Sequence, residues 1–130
     1  MMTMREEQAL AALRRATEFL VEGAPAAAAV DLDRAIRLDP RLAEAYQKRG
    51  ELLAAEGRLT EAIADLNRAV RLKPRSPGAY ASRSRLHVAI GNHEAAERDR
   101  NEAERRRLGP QRSFELRRCD AFPEGATLAG

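Results

Sequence analysis

Small and apolar positions recur along this chain with a period of 34 residues. Aligning Ala9–Leu42, Ala43–Ser76 and Pro77–Pro110 brings Gly23, Gly57 and Gly91 into one column. Ala28, Ala62 and Ala96 form a second column, and Ala35, Ala69 and Ala103 a third. Leu32 matches Leu66, Pro40 matches Pro74, and Tyr46 matches Tyr80 with Ala12 in the first unit. The two Ala columns are seven residues apart, which is one face of a helix, and their small side chains let helices approach closely. The Gly column falls where a helix stops and the chain turns, because Gly enters the left-handed region without a Cβ penalty. Pro40 and Pro74 end the helices before them, since the residue ahead of a proline is driven out of the helical region. The pattern predicts helices over 4–22, 25–38, 42–56, 60–73, 77–90 and 93–108, with a short one near 113–121. Thr60 ahead of Glu61 and Ser76 ahead of Pro77 are expected to cap two of them.

The middle unit, AEAYQKRGELLAAEGRLTEAIADLNRAVRLKP, carries Tyr46, Gly50, Leu53, Gly57, Ala62, Leu66, Ala69 and Pro74. In these residues it resembles a tetratricopeptide repeat. The resemblance implies an all-α fold, with helix-turn-helix repeats stacked as a right-handed superhelical α-solenoid whose first helices line a concave groove. It divides the chain into three repeats (9–42, 43–76 and 77–110, within a domain 1–110) and a segment 111–130 holding a short capping helix and a tail. The outer repeats depart from the pattern: Ala12 and Ala16 replace the aromatic and small residues of the first. Ser84 replaces the Gly of the third, and Arg100 stands where an apolar residue should pack. Terminal repeats are commonly atypical because one face meets water.

Two further columns are charged. Arg15, Arg49 and Arg83 align, and Asp31, Asp65 and Asp99 align sixteen residues later on the partner helix. In the common form of the repeat both positions are apolar and face each other. A paired exchange in all three units suggests Arg–carboxylate pairs within each repeat or across to the next. An unpaired buried Arg costs free energy, whereas a facing carboxylate resolves that cost. Arg49 is therefore expected to be largely buried on Asp65, with Arg15 on Asp31 and Arg83 on Asp99 less complete at the ends. The other reading is a ladder of ligand-binding arginines.

The groove is expected to present Leu13, Arg14, Thr17, Gln47, Lys48, Glu51, Ser82 and Arg85, with Leu10, Ala81 and Val88 beside them. Some relatives clamp a chaperone's C-terminal carboxylate with Lys, Asn and Arg. Here those positions hold Leu13, Thr17, Lys48, Gly78 and Ser82, so the clamp is disfavoured. Lys48 and Arg85 leave a preference for acidic segments. The expected function is a non-catalytic protein–protein interaction scaffold or adaptor that holds a peptide or helix of a protein partner in the groove.

Composition removes most other classes. With 44% hydrophobic, 33% charged and only 4% aromatic residues, the chain is a helix former poor in stacking platforms. His87 and His93 are six apart across the turn at Gly91, which does not make a metal site, and no phosphate-binding Gly-rich loop is present. No catalytic constellation, cofactor or metal is expected. Cys119 is the single cysteine, so the chain cannot form an internal disulfide, and a reducing, cytoplasmic setting is expected. The net charge is +3, and its excess is local: 98–118 holds eight Arg against four acids. That run raises nucleic-acid binding as the alternative function, weakened by the interspersed acids. No membrane span is expected. Leu10, Leu13, Leu20 and Val21 on the first helix raise weak self-association as a further expectation.

Overall fold

The computed structural model describes residues 1–109. They form six helices: α1 (Met4–Val21), α2 (Pro25–Leu38), α3 (Ala43–Ala55), α4 (Leu59–Leu72), α5 (Pro77–Ala89) and α6 (93–109). Consecutive helices pair as α1/α2, α3/α4 and α5/α6. The expected helix at 113–121, Cys119 and the tail lie outside the described residues.

Each pair closes through the same turn. Gly23, Gly57 and Gly91 have φ of 78°, 81° and 83°. At each turn the Gly N–H bonds three residues back, as in Gly57 to the Ala54 carbonyl at 3.0 Å. The following N–H bonds five back, as in Arg58 to the Leu53 carbonyl at 2.9 Å. This is a Schellman closure, which satisfies carbonyls left open at the helix end. The residue after each Gly stands at the cap of the next helix, which starts one position later.

The helix starts use different devices. Thr3 caps α1 through a capping box, its hydroxyl accepting the Glu6 N–H while the Glu6 carboxylate accepts the Thr3 N–H. Pro25 and Pro77 open α2 and α5. The cap expected at Thr60 is not there: α4 begins at Leu59 behind Arg58, and Thr60 lies inside the first turn. Arg58 instead holds Glu61 through its Nε at 2.9 Å, placing an acid at the helix start. Ser76 occupies the cap position of α5, but its side chain makes no capping hydrogen bond.

Small residues carry the close packing. Ala28, Ala35, Ala62 and Ala69 are fully buried. A Cβ on Gly50 would stand 3.0 Å from Leu66 Cγ and 3.2 Å from the Ala62 carbonyl oxygen, so α3 meets α4 through a missing side chain. Ser84 replaces this Gly in α5 and turns the close approach into a hydrogen bond, donating to the Ala96 carbonyl at 2.7 Å. Tyr46 and Tyr80 pin successive pairs together, their hydroxyls donating to the Pro40 and Pro74 carbonyls at 3.0 Å. The Leu column ends abruptly: Leu32 and Leu66 are buried, whereas Arg100 on α6 is exposed. The outer face of α6 therefore meets water with charged residues.

Candidate functional site

Helices α3 and α5 pack against each other, and Gln47, Lys48, Glu51, Ser82 and Arg85 of the expected groove line two clefts along them. One cleft of about 180 Å³ lies between α3, the end of α4 and the start of α5, lined by Glu44, Gln47, Lys48, Lys73 and Ser76. Gly78 leaves room there, since a Cβ on it would meet the Gln47 amide nitrogen at 3.1 Å. A second cleft of about 230 Å³ has an apolar floor and walls of Ala54, Leu59, Leu66, Leu86 and Ala89, with Glu51, Ser82 and Arg85 at its rim.

The rim is a bonded network. The Ser82 hydroxyl donates to Glu51 Oε2 at 2.6 Å and accepts from Arg85 Nη2 at 3.1 Å. Arg85 also stands 3.5 Å from Glu51. Ser82 is buried, while the Arg85 side chain is 69% exposed and that of Glu51 38%, so both the arginine and the carboxylate face an incoming group. The sequence placed these three residues on one face, but nothing in it showed that they bond one another across helices. Lys48 is half-buried and makes no ion pair among the described residues.

Two expected groove residues are otherwise engaged. Leu13 is 5% exposed and packs in the core against Ala28, Leu32 and Ala45, because α2 and α3 close over that side of α1. Thr17 donates its hydroxyl back to the Leu13 carbonyl at 3.0 Å. Arg14 is exposed.

The charged columns lie at the junctions between helix pairs. Arg49 grips Asp65 through Nε at 2.7 Å and Nη2 at 2.9 Å, and reaches Asp33 on α2 through Nη1 at 3.1 Å. Arg83 does the same with Asp99 at 2.7 and 2.8 Å and with Asn67 on α4 at 3.1 Å. Each guanidinium therefore ties its own hairpin and fastens it to the preceding one. Each also lies over the ring three residues earlier, at 5.7 Å from Tyr46 and from Tyr80. The hydrogen bonds that Arg49 donates to Asp65 raise the Arg49 pKa, and those that Arg83 donates to Asp99 raise the Arg83 pKa, with burial opposing both. A raised basic pKa gives stability that is complete below the ordinary guanidinium value and is lost only as pH climbs through the higher folded value. The two guanidiniums therefore keep their charge across the ordinary pH range.

The expected ranking of burial needs correction at Arg83, which is more buried than the central Arg49. The Arg49 side chain is 30% exposed and that of Arg83 20% exposed, while Asp65 and Asp99 are the buried partners. The first rung is loose: Arg15 is 63% exposed with its Nε 3.4 Å from Asp31. Ala12 offers it no ring in the Tyr column, and it leans on Phe19 at 5.9 Å instead. The third partners, Asp33 and Asn67, were missed by sequence reasoning. Their signal was a second sixteen-residue interval running backwards from Arg49 and Arg83. His87 lies 3.5 Å from Asp99 through Nε2, beside the Arg83 rung.

The remaining features bear on the alternative functions. Arg105 and Arg106 pair with Glu102, and Arg107 pairs with Glu104, all on α6 itself. Three of the five described arginines of the run are thus answered by their own helix. Arg112, Arg117 and Arg118 lie outside the described residues. Among the described residues no group of three or more His, Cys, Asp or Glu could hold a metal ion, and no helix is long and apolar enough to cross a membrane.

Residues 50–91 match a family model described as TPR repeat. No curated protein matches the chain. Among solved structures, the first TPR of Spaghetti (RPAP3), bound to the HSP90 peptide SRMEEVD, superposes with a TM-score of 0.75 at 20% identity, covering 96% of each chain. The TPR2B domain of yeast Sti1, in a pHsp70 complex, gives 0.73 at 22% identity, covering 98% of this chain and all of that one. A mutant O-GlcNAc transferase from Thermobaculum terrenum gives 0.79 at 26% identity, covering 87% of this chain but only 22% of the enzyme. At these identities the likeness is one of fold.

Proposed function

Because the chain is built of tetratricopeptide repeats, we propose that it is a non-catalytic protein-interaction scaffold that holds a segment of a protein partner on the face of α1, α3 and α5. The carrying observation is the arrangement on that face: an apolar cleft between Ala54 and Ala89, rimmed by the Glu51–Ser82–Arg85 network, next to a cleft holding Lys48 and Lys73. An apolar side chain of the partner enters the first cleft, and an acidic group meets Lys48 or the exposed fork of Arg85. The peptide complexes formed by proteins of the same fold support this use of the face. Glu51 repels densely acidic segments, and Leu13, Thr17 and Gly78 supply no cation or amide at the remaining clamp positions, so the SRMEEVD type of peptide is a poor fit. The interspersed acids of α6 weigh against a nucleic-acid role for 98–118.

The test is capture of partners by the full chain, compared with Lys48→Glu, Arg85→Glu and a cleft-filling Ala54→Leu. Partners enriched by wild type and lost in the variants, followed by direct titration of a peptide from the captured protein, are the expected result. Equal capture by wild type and all three variants would remove this face as the binding site.

A further inference from the structure

The three arginine rungs are not equally complete. Arg49 and Arg83 each engage an aspartate ahead with two nitrogens and a side-chain oxygen on the preceding hairpin with a third. Arg15 has only a long contact to Asp31 and remains mostly exposed. Asp31 is itself 94% buried, and its Oδ2 has no hydrogen-bond partner. A buried carboxylate oxygen left without a donor is costly and uncommon. Among the described residues no helix precedes α1, so nothing takes the Nη1 arm of Arg15 as Asp33 and Asn67 take those of Arg49 and Arg83.

The missing acceptor stands at the other end of the molecule. Asn101 on α6 occupies the same column as Asp33 and Asn67, 34 residues after Asn67, and is exposed with no hydrogen bond among the described residues. An Asn suffices for this role, as the Asn67 contact to Arg83 demonstrates. We propose that α6 of one copy packs on α1 of a second copy in the register by which α2 packs on α3. Asn101 of the first copy then accepts from Arg15 of the second and turns its guanidinium onto Asp31. The rest of the two faces is also charged: α6 exposes Glu97, Arg100 and Glu104, and α1 exposes Glu18 with Glu22 at its C-cap. The contact is therefore polar, salt-sensitive and weak, and being head-to-tail it continues the solenoid instead of closing a ring. It does not use the face assigned to partner binding, and it differs from the apolar self-association expected of α1, since Leu13 is buried in the core.

The test is the mass of the full 130-residue chain over a concentration series at low salt, by sedimentation equilibrium. Wild type should rise above the monomer mass with concentration. Asn101→Asp, which supplies the charged acceptor found at Asp33, should associate roughly tenfold more tightly. Asn101→Arg should remain monomeric. Both variants should melt like wild type, because Asn101 is exposed in the single chain. The Nε resonance of Arg15 should shift with concentration in wild type and stay fixed in Asn101→Arg. A wild type that is monomeric at every concentration overturns the proposal, as do two Asn101 variants that associate like wild type. Association that appears only after deleting 111–130 also overturns it, because the α6 face would then be covered in the intact chain.

Discussion

Arg49 and Asp65, sixteen residues apart on consecutive helices, meet through two parallel hydrogen bonds of 2.7 and 2.9 Å, with the aspartate buried and the arginine 30% exposed. This asymmetry decides what the pair does for stability. The bonds offset the desolvation of Asp65, and the exposed edge of Arg49 limits what it must give up. The third bond, to Asp33, makes the pair a link between hairpins.

Removing the buried carboxylate should be costly. Asp65→Ala is expected to lower stability by about 2–3 kcal/mol, below the range for fully buried pairs because Arg49 retains water. Replacing the pair together by Arg49→Leu and Asp65→Tyr should restore most of the loss. Urea denaturation of the two variants checks this, and a double variant less stable than Asp65→Ala would show that the pair is more than an exchangeable contact.

The rungs should rank in the order of their geometry. Arg83→Ala should cost about 2 kcal/mol, since it strands Asp99, whereas Arg15→Ala should cost under about 0.5 kcal/mol because the long Asp31 contact contributes little. Equal losses in thermal melts would mean that the first rung is better formed than a 3.4 Å contact implies.

Gly50→Ala tests the α3–α4 approach. A helical Gly to Ala change ordinarily gains roughly 0.5–1 kcal/mol. Here the new Cβ meets the branch carbon of Leu66 and a backbone oxygen, neither of which can swing away. The expected outcome is a net loss of about 1 kcal/mol, with Gly50→Val losing more. A stabilised Gly50→Ala would show that α4 can retreat without cost.

The rim network makes a separable prediction about binding. Ser82→Ala should cost about 1 kcal/mol of stability through the lost Glu51 hydrogen bond. It also frees Glu51 and Arg85 from their shared hydroxyl. Once a partner peptide is in hand, Glu51→Gln should strengthen binding of acid-bearing segments and Arg85→Glu should weaken it. Isothermal titration with one peptide across the three variants reads both effects, and a peptide indifferent to Glu51→Gln and Arg85→Glu would place its acid elsewhere.

Much of this architecture follows from local chemistry, and local chemistry is what a sequence carries. The 34-residue spacing of Gly23, Gly57 and Gly91 fixes where the hairpins turn, since each needs a left-handed backbone that only Gly adopts freely. The Ala columns mark the faces that must approach closely, and the sixteen-residue interval from Arg49 to Asp65 marks two positions that a tight hairpin brings level. The tertiary structure decided what depends on neighbours from another hairpin. Leu13 looks like a groove residue on α1 alone, yet α2 and α3 close over it. Ser82 looks like an ordinary surface serine until α3 brings Glu51 within 2.6 Å. Arg15 has the same side chain and the same aspartate partner as Arg49, but it lacks a ring at position 12 and an acceptor on a preceding helix, so it stays in water. A turn is a property of a few adjacent residues, whereas burial and pairing at a junction belong to two surfaces at once, and only their packing settles which residue meets which.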